Sequence, residues 1–92
     1  MMNMAVTKSF KLVNENGLHA RPATKIAELV AKFDSKVKVS FSDMEVDAKR
    51  VINLLMLGAE HGAELTFTIE GDDSELLMDE IDNLIQNKFL ET

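Results

Sequence analysis

Lys36-Val37-Lys38-Val39-Ser40-Phe41-Ser42-Asp43-Met44-Glu45-Val46-Asp47-Ala48 alternates apolar and polar side chains in two runs. A period of two places Val37, Val39 and Phe41 on one face of a strand and the lysines and Ser40 on the other. Met44, Val46 and Ala48 repeat the pattern. The two polar residues between the runs predict a hairpin turn at Ser42-Asp43, even without the glycine such turns favour.

The same period recurs on both sides of this hairpin. From Val6 to Val13, Val6, Phe10 and Leu12 share one face and Thr7, Ser9 and Lys11 the other, with Lys8 as the exception. Leu65, Phe67 and Ile69 alternate against Thr66, Thr68 and Glu70. Between the strands the spacing turns helical. Ala23, Ile26, Ala27 and Val30 form one face of a helix over residues 20–33, with Lys25, Glu28 and Lys32 facing water. The helix is expected to open at Ala20, although Arg21 precedes a proline and so resists helical geometry. Val51, Leu54 and Leu55 predict a short second helix closed by Gly58. Gly71-Asp72-Asp73-Ser74 leads into a third, with Leu77, Ile81, Leu84 and Ile85 as its inner stripe. An Asp or Ser there suits the helix cap, and Asp72, Asp73 and Glu75 suit a helix start better than acid–base chemistry. The order β-α-β-β-α-β-α, in strands that each keep one polar face, predicts an α+β open-faced sandwich. Its four-stranded antiparallel sheet would carry three helices on one face.

Ninety-two residues suffice for one modest core, so residues 1–92 are expected to form a single domain. Five Phe and six Met supply the bulk, because Trp and Tyr are absent. The lack of cysteine excludes disulfides and thiolate metal sites and fits a reducing, cytoplasmic setting. Met1-Met2-Asn3-Met4 lacks the basic start and apolar run of a secretion signal, and no apolar window is long enough to span a bilayer. A net charge of −6 excludes nucleic acid as the expected partner. The charge suits a basic patch on another protein, and it equally suits plain solubility.

Chemistry concentrates in Gly17-Leu18-His19-Ala20-Arg21-Pro22. Pro22 fits a first helical turn. The N–H groups of that turn lack intrahelical partners, and the dipole there favours an anion and the neutral, nucleophilic form of an imidazole. Arg21 adds a planar fork of donors suited to phosphate oxygens. The group reads as a nucleophilic imidazole beside a phosphate cradle in which Ala20 and Pro22 form the helix start. No metal or cofactor is required. Taken alone, His19 is equally readable as a surface loop residue, and Asn16 as either a phosphate donor or a simple turn residue. His61, beside Glu60 and Glu64, lacks metal-ligand spacing and reads as part of a solvated turn. Val51 to Leu57 is apolar almost all round. Either neighbouring loops bury all of it, or one face enters the core while Ile52 or Met56 stays partly exposed as a docking surface.

The chain resembles the HPr family, the histidine-containing phosphocarriers of the bacterial phosphoenolpyruvate:sugar phosphotransferase system (PTS). The resemblance rests on residues 16–23, on Asp47-Ala48-Lys49 leading into Leu54-Leu55-Met56-Leu57-Gly58-Ala59, and on Gly62-Ala63-Glu64 with the strand to Gly71. It implies that phosphorylated enzyme I passes a phosphoryl group to Nδ1 of His19, and that enzyme IIA proteins then receive it for sugar uptake. Arg21 would contact the phosphate, Asn16 and the helix-start amides would support it, and Ile52, Leu55 and Met56 would face partners. The protein would be a carrier and not an enzyme. Two other readings stand beside this one: a nitrogen-branch (NPr-like) regulatory carrier, and a docking regulator in which His19 is never phosphorylated.

One position departs from the pattern. Many family members place a regulatory serine at the start of the second helix, where this chain has Arg50. No Ser, Thr or Tyr lies between Asp43 and Gly62, so serine-kinase control of this helix is expected to be absent. Arg50 is expected instead to widen a basic rim around His19 and to take part in docking.

Overall fold

The computed structural model describes residues 5–90, so Met1–Met4, read above for a leader, lie outside them. The chain runs β1 (Ala5–Lys11), α1 (Ala20–Ala31), β2 (Lys36–Phe41), β3 (Met44–Asp47), α2 (Val51–Met56), β4 (Glu64–Glu70) and α3 (Ser74–Gln86), followed by a short turn at Lys88–Leu90. This is the expected order, and the architecture is an antiparallel open-faced sandwich. The sheet order is β1-β4-β2-β3 with every neighbouring pair antiparallel. Connections through α1 and α2 therefore join strands that point the same way.

The register explains the alternation. Phe10 lies opposite Leu65, Val39 opposite both Phe67 and Val46, and Val37 opposite Ile69, so all of them meet on the helix side. The other face carries Thr7–Thr68 and Ser9–Thr66 pairs, the latter with its hydroxyls 2.8 Å apart. Cross-strand Lys36–Glu70 and Lys11–Glu64 pairs lie at its ends. Lys8 is the exception in the structure too. It stands on the helix side opposite Phe67, holds Asp82 of α3 at 3.0 Å, and lies 5.3 Å from the centre of the Phe10 ring. Phe10 meets Phe67 edge-on at 5.7 Å. Ile26 and Val30 of α1, Leu54 of α2 and Leu77, Ile81 and Ile85 of α3 are buried in the same core.

Three expectations need correcting. The inner stripe of α3 includes buried Met78, while Leu84 is only partly covered. The first helix ends at Ala31, two residues before Phe33. Asp73 occupies the N-cap position of α3 but makes no side-chain cap bond there. Its carboxylate reaches across to the turn after α1 instead. It accepts from the Asp34 N–H at 2.9 Å, from the Ser35 N–H at 3.0 Å, and from the Ser35 hydroxyl. The Ser35 hydroxyl first, and then the backbone donors, hold Asp73 below the ordinary carboxylate range. A carboxylate depressed in the folded state stabilises above its unfolded pKa, and that contribution fades as the pH falls through the folded value. Asp73→Asn should therefore flatten the acid limb of a stability-versus-pH curve while lowering stability at neutral pH. Urea titrations at several pH values would check this. An unchanged acid limb would show that Asp73 does not carry it.

Candidate functional site

The site is built where two crossover loops leave neighbouring strands at the same end. Lys11 ends β1 opposite Glu64, which starts β4. The loops continue the ladder beyond the strands, with the Leu12 N–H donating to Ala63 O at 2.8 Å and the Gly62 N–H to Leu12 O at 2.9 Å. Asn14-Glu15-Asn16-Gly17 then turns, with the Gly17 N–H directed at Asn14 O (3.3 Å) and buried Asn14 Nδ2 donating to Gly17 O at 2.7 Å. The Leu18 N–H donates to Ala59 O at 2.9 Å, fastening this loop to the one after α2. Gly17 lets the two backbones meet. It takes φ +65°, and a Cβ there would sit 2.6 Å from Glu60 Cα.

His19 is the N-cap residue of α1, with extended backbone and no side-chain cap bond. Its carbonyl takes the Ala23 N–H at 3.0 Å. Pro22 has no N–H, so Ala20 and Arg21 supply the orphan donors of the first turn. Pro22 is buried and anchors the helix start, fixing the backbone beside it. Arg21 is helical in spite of the following proline, and its side chain is exposed.

His19, Ala20, Arg21, Thr24, Lys25 and Glu28 line an open depression of about 520 Å³. The expected His19–Arg21 pairing is thus held in one place. The second cation there is Lys25, expected to face water but half-buried in the structure. Its position four residues after Arg21 was the available signal, since i and i+4 share a helix face. Arg50 does not line this depression. It is the exposed N-cap residue of α2, without a side-chain cap bond, so the basic rim is formed by Arg21 and Lys25.

Asn16 is exposed, and no hydrogen bond fixes its side chain among the described residues. The asparagine that shapes the loop is Asn14. Asn at the first position of a turn and Gly at the fourth are a sequence signal for that role. His61 is exposed in the turn after α2, as the solvated-turn reading expects. Its Nδ1 lies 3.0 Å from Asn14 O and adds a further tie between the loops. α2 packs against α1 and leaves Ile52 (57%), Leu55 (36%) and Met56 (59%) exposed, while Leu54 is buried. Of the two readings of this helix, the exposed apolar surface is the one the structure shows.

Comparison with known proteins gives a consistent result. Residues 6–87 match a family model described as "PTS HPr component phosphorylation site". A phosphocarrier protein HPr of Treponema pallidum is 36% identical over 86 residues, covering 94% of this chain and 98% of the relative. One from Cupriavidus necator is 39% identical over 78 residues, covering 85% and 88%. Among solved structures, an HPr from Thermoanaerobacter tengcongensis superposes with a TM-score of 0.90 at 32% identity, covering 95% of this chain and 98% of that one.

Proposed function

Since the chain belongs to the HPr family of PTS phosphocarriers, we propose that it is a single-domain cytoplasmic carrier whose phosphoryl acceptor is His19. Phosphorylated enzyme I donates to Nδ1 of His19, and enzyme IIA proteins accept from it for sugar uptake. The observation that carries this reading is the open depression that His19, at the mouth of α1, lines together with Arg21. In the transfer, the imidazole nitrogen attacks phosphorus and a new P–N bond forms as the donor's bond to phosphorus breaks. The chain then holds a dianion with the Ala20 and Arg21 N–H groups, the Arg21 guanidinium and the dipole of α1. These groups stabilise charge without enclosing it, so a partner can approach and remove the phosphoryl group. Asn16 is a further donor to the phosphate from its exposed position on the loop. Ile52, Leu55 and Met56 form the apolar docking rim, with Arg50 at its edge.

The test is to mix the chain with enzyme I and phosphoenolpyruvate. One acid-labile, base-stable phosphate per chain is expected, transferable to an enzyme IIA of a sugar transporter. A chain that remains unmodified would overturn the reading in favour of an unphosphorylated docking regulator. Transfer only to a nitrogen-branch IIA would move the protein to the signalling branch.

A further inference from the structure

The ammonium of Lys25 donates to the backbone carbonyl of Phe89, which lies 64 residues later in the chain. The segment it holds is unusual. Lys88, Phe89 and Leu90 take φ of 54°, 57° and 63°, a left-handed conformation that is unfavourable for L-residues. The turn is held by what surrounds it. Phe89 is fully buried, the Leu90 N–H donates to Asn87 O at 2.9 Å, and Lys25 takes the Phe89 carbonyl. Leu90 itself is 71% exposed.

Lys25 also lines two adjoining depressions. One contains His19 and Arg21. The other, of about 480 Å³, lies between α1 and α3 and ends at Leu90. Long side chains on a helix lean toward its N-terminus, which here is the His19 end. The Lys25 ammonium thus has a neutral acceptor, the Phe89 carbonyl, while the residue lines a depression in common with His19. A phosphoryl dianion on His19 would be the stronger acceptor, because charge-assisted bonds are roughly twice as strong as neutral ones. Glu28 lines both depressions as well, yet the bond Lys25 makes is to the carbonyl.

We propose that Lys25 is a positioning residue that couples the carboxyl-terminal turn to the phosphoryl group on His19, a role that rests on the carrier reading above. With His19 unmodified, Lys25 pins Phe89 and stabilises the left-handed turn. When His19 carries a phosphoryl group, Lys25 turns to it and the turn at Lys88–Leu90 loosens. Coupling of this kind is reciprocal, so releasing the turn beforehand favours the phosphorylated form.

The test uses phosphoramidate, a small donor that phosphorylates histidine with loss of ammonia and needs no partner protein. Mass measurement reports His19 occupancy, and amide hydrogen exchange reports the turn. In the natural chain, phosphorylation should raise exchange at Phe89 and Leu90 by about tenfold, with the core amides unchanged. Lys25→Gln keeps a donor for the carbonyl without the charge, so the turn should stay protected whether or not His19 is phosphorylated. Its phosphohistidine should hydrolyse severalfold faster. Lys25→Met should expose the turn before phosphorylation. A phosphorylated natural chain with an unchanged turn would overturn the coupling and leave the carrier reading standing. Failure of His19 to accept phosphate at all would remove both.

Discussion

His19→Ala should take up no phosphoryl group from enzyme I, while its fold and melting behaviour stay close to those of the natural chain. The chemistry requires a nucleophilic nitrogen at the mouth of α1, and alanine provides none. The fold should survive because the first turn of α1 closes on the backbone carbonyl of residue 19, which takes the Ala23 N–H and which alanine retains; a change of about 1 kcal/mol is expected. His61 should not substitute for it. Its Nδ1 is engaged at Asn14 O in the tie between the loops, and it does not line the depression around Arg21. Radiolabel transfer alongside a thermal melt separates the two effects. Residual labelling of His19→Ala would place the acceptor elsewhere and end the reading of this site.

Gly17→Ala should be destabilised by about 2–5 kcal/mol and should also accept phosphate about a hundredfold more slowly. The new methyl would lie 2.7 Å from the Glu60 carbonyl carbon and 2.8 Å from Ala59 O, which is backbone that cannot rotate away, at a φ of +65°. Relieving the clash must lift the loop off its neighbour and break the Leu18–Ala59 bond one residue before His19. Gly71→Ala is the control. Its methyl would meet Ser35 Cα at 2.8 Å, with similar strain, at the opposite end of β4. That variant should lose comparable stability yet accept phosphate at the normal rate once folded. Equal rates for the two variants, measured well below their melting points, would show that the seating of this loop does not govern presentation of His19.

The fold was legible because every strand keeps one polar face and the two long helices, α1 and α3, each keep one apolar stripe, so local pattern and tertiary burial agree there. The hairpin at Ser42-Asp43 was legible from spacing alone, and Ser42 adopts φ 57° in place of the missing glycine. The relation of His19 to Arg21 was legible because both belong to one helix start. Contacts between segments distant in sequence could not be read in this way. Asp73 leaves its own helix for Ser35, 38 residues earlier, and Lys25 reaches Phe89, 64 residues later. No periodicity encodes either choice. Arg50 illustrates the same limit, since its charge suggested a rim that the packing of α2 does not place in the depression. The left-handed Lys88–Leu90 turn had no sequence signal, because none of its residues is Gly, Asn or Asp.

Lys8 has a consequence for the protein's behaviour at high concentration. β1 is an outermost strand of the sheet, and its free side presents unpaired backbone groups to solvent. Such a border invites another chain to add a strand and extend the sheet without limit. A newcomer would bring its own apolar face against the helix side of β1, where the Lys8 ammonium stands beside Asp82. It would have to strip water from that charge with nothing to offer in return. The other border, β3, is only four residues long. One misplaced-looking lysine in an otherwise regular pattern thus guards the long border of a sheet that has to remain separate at cellular concentrations.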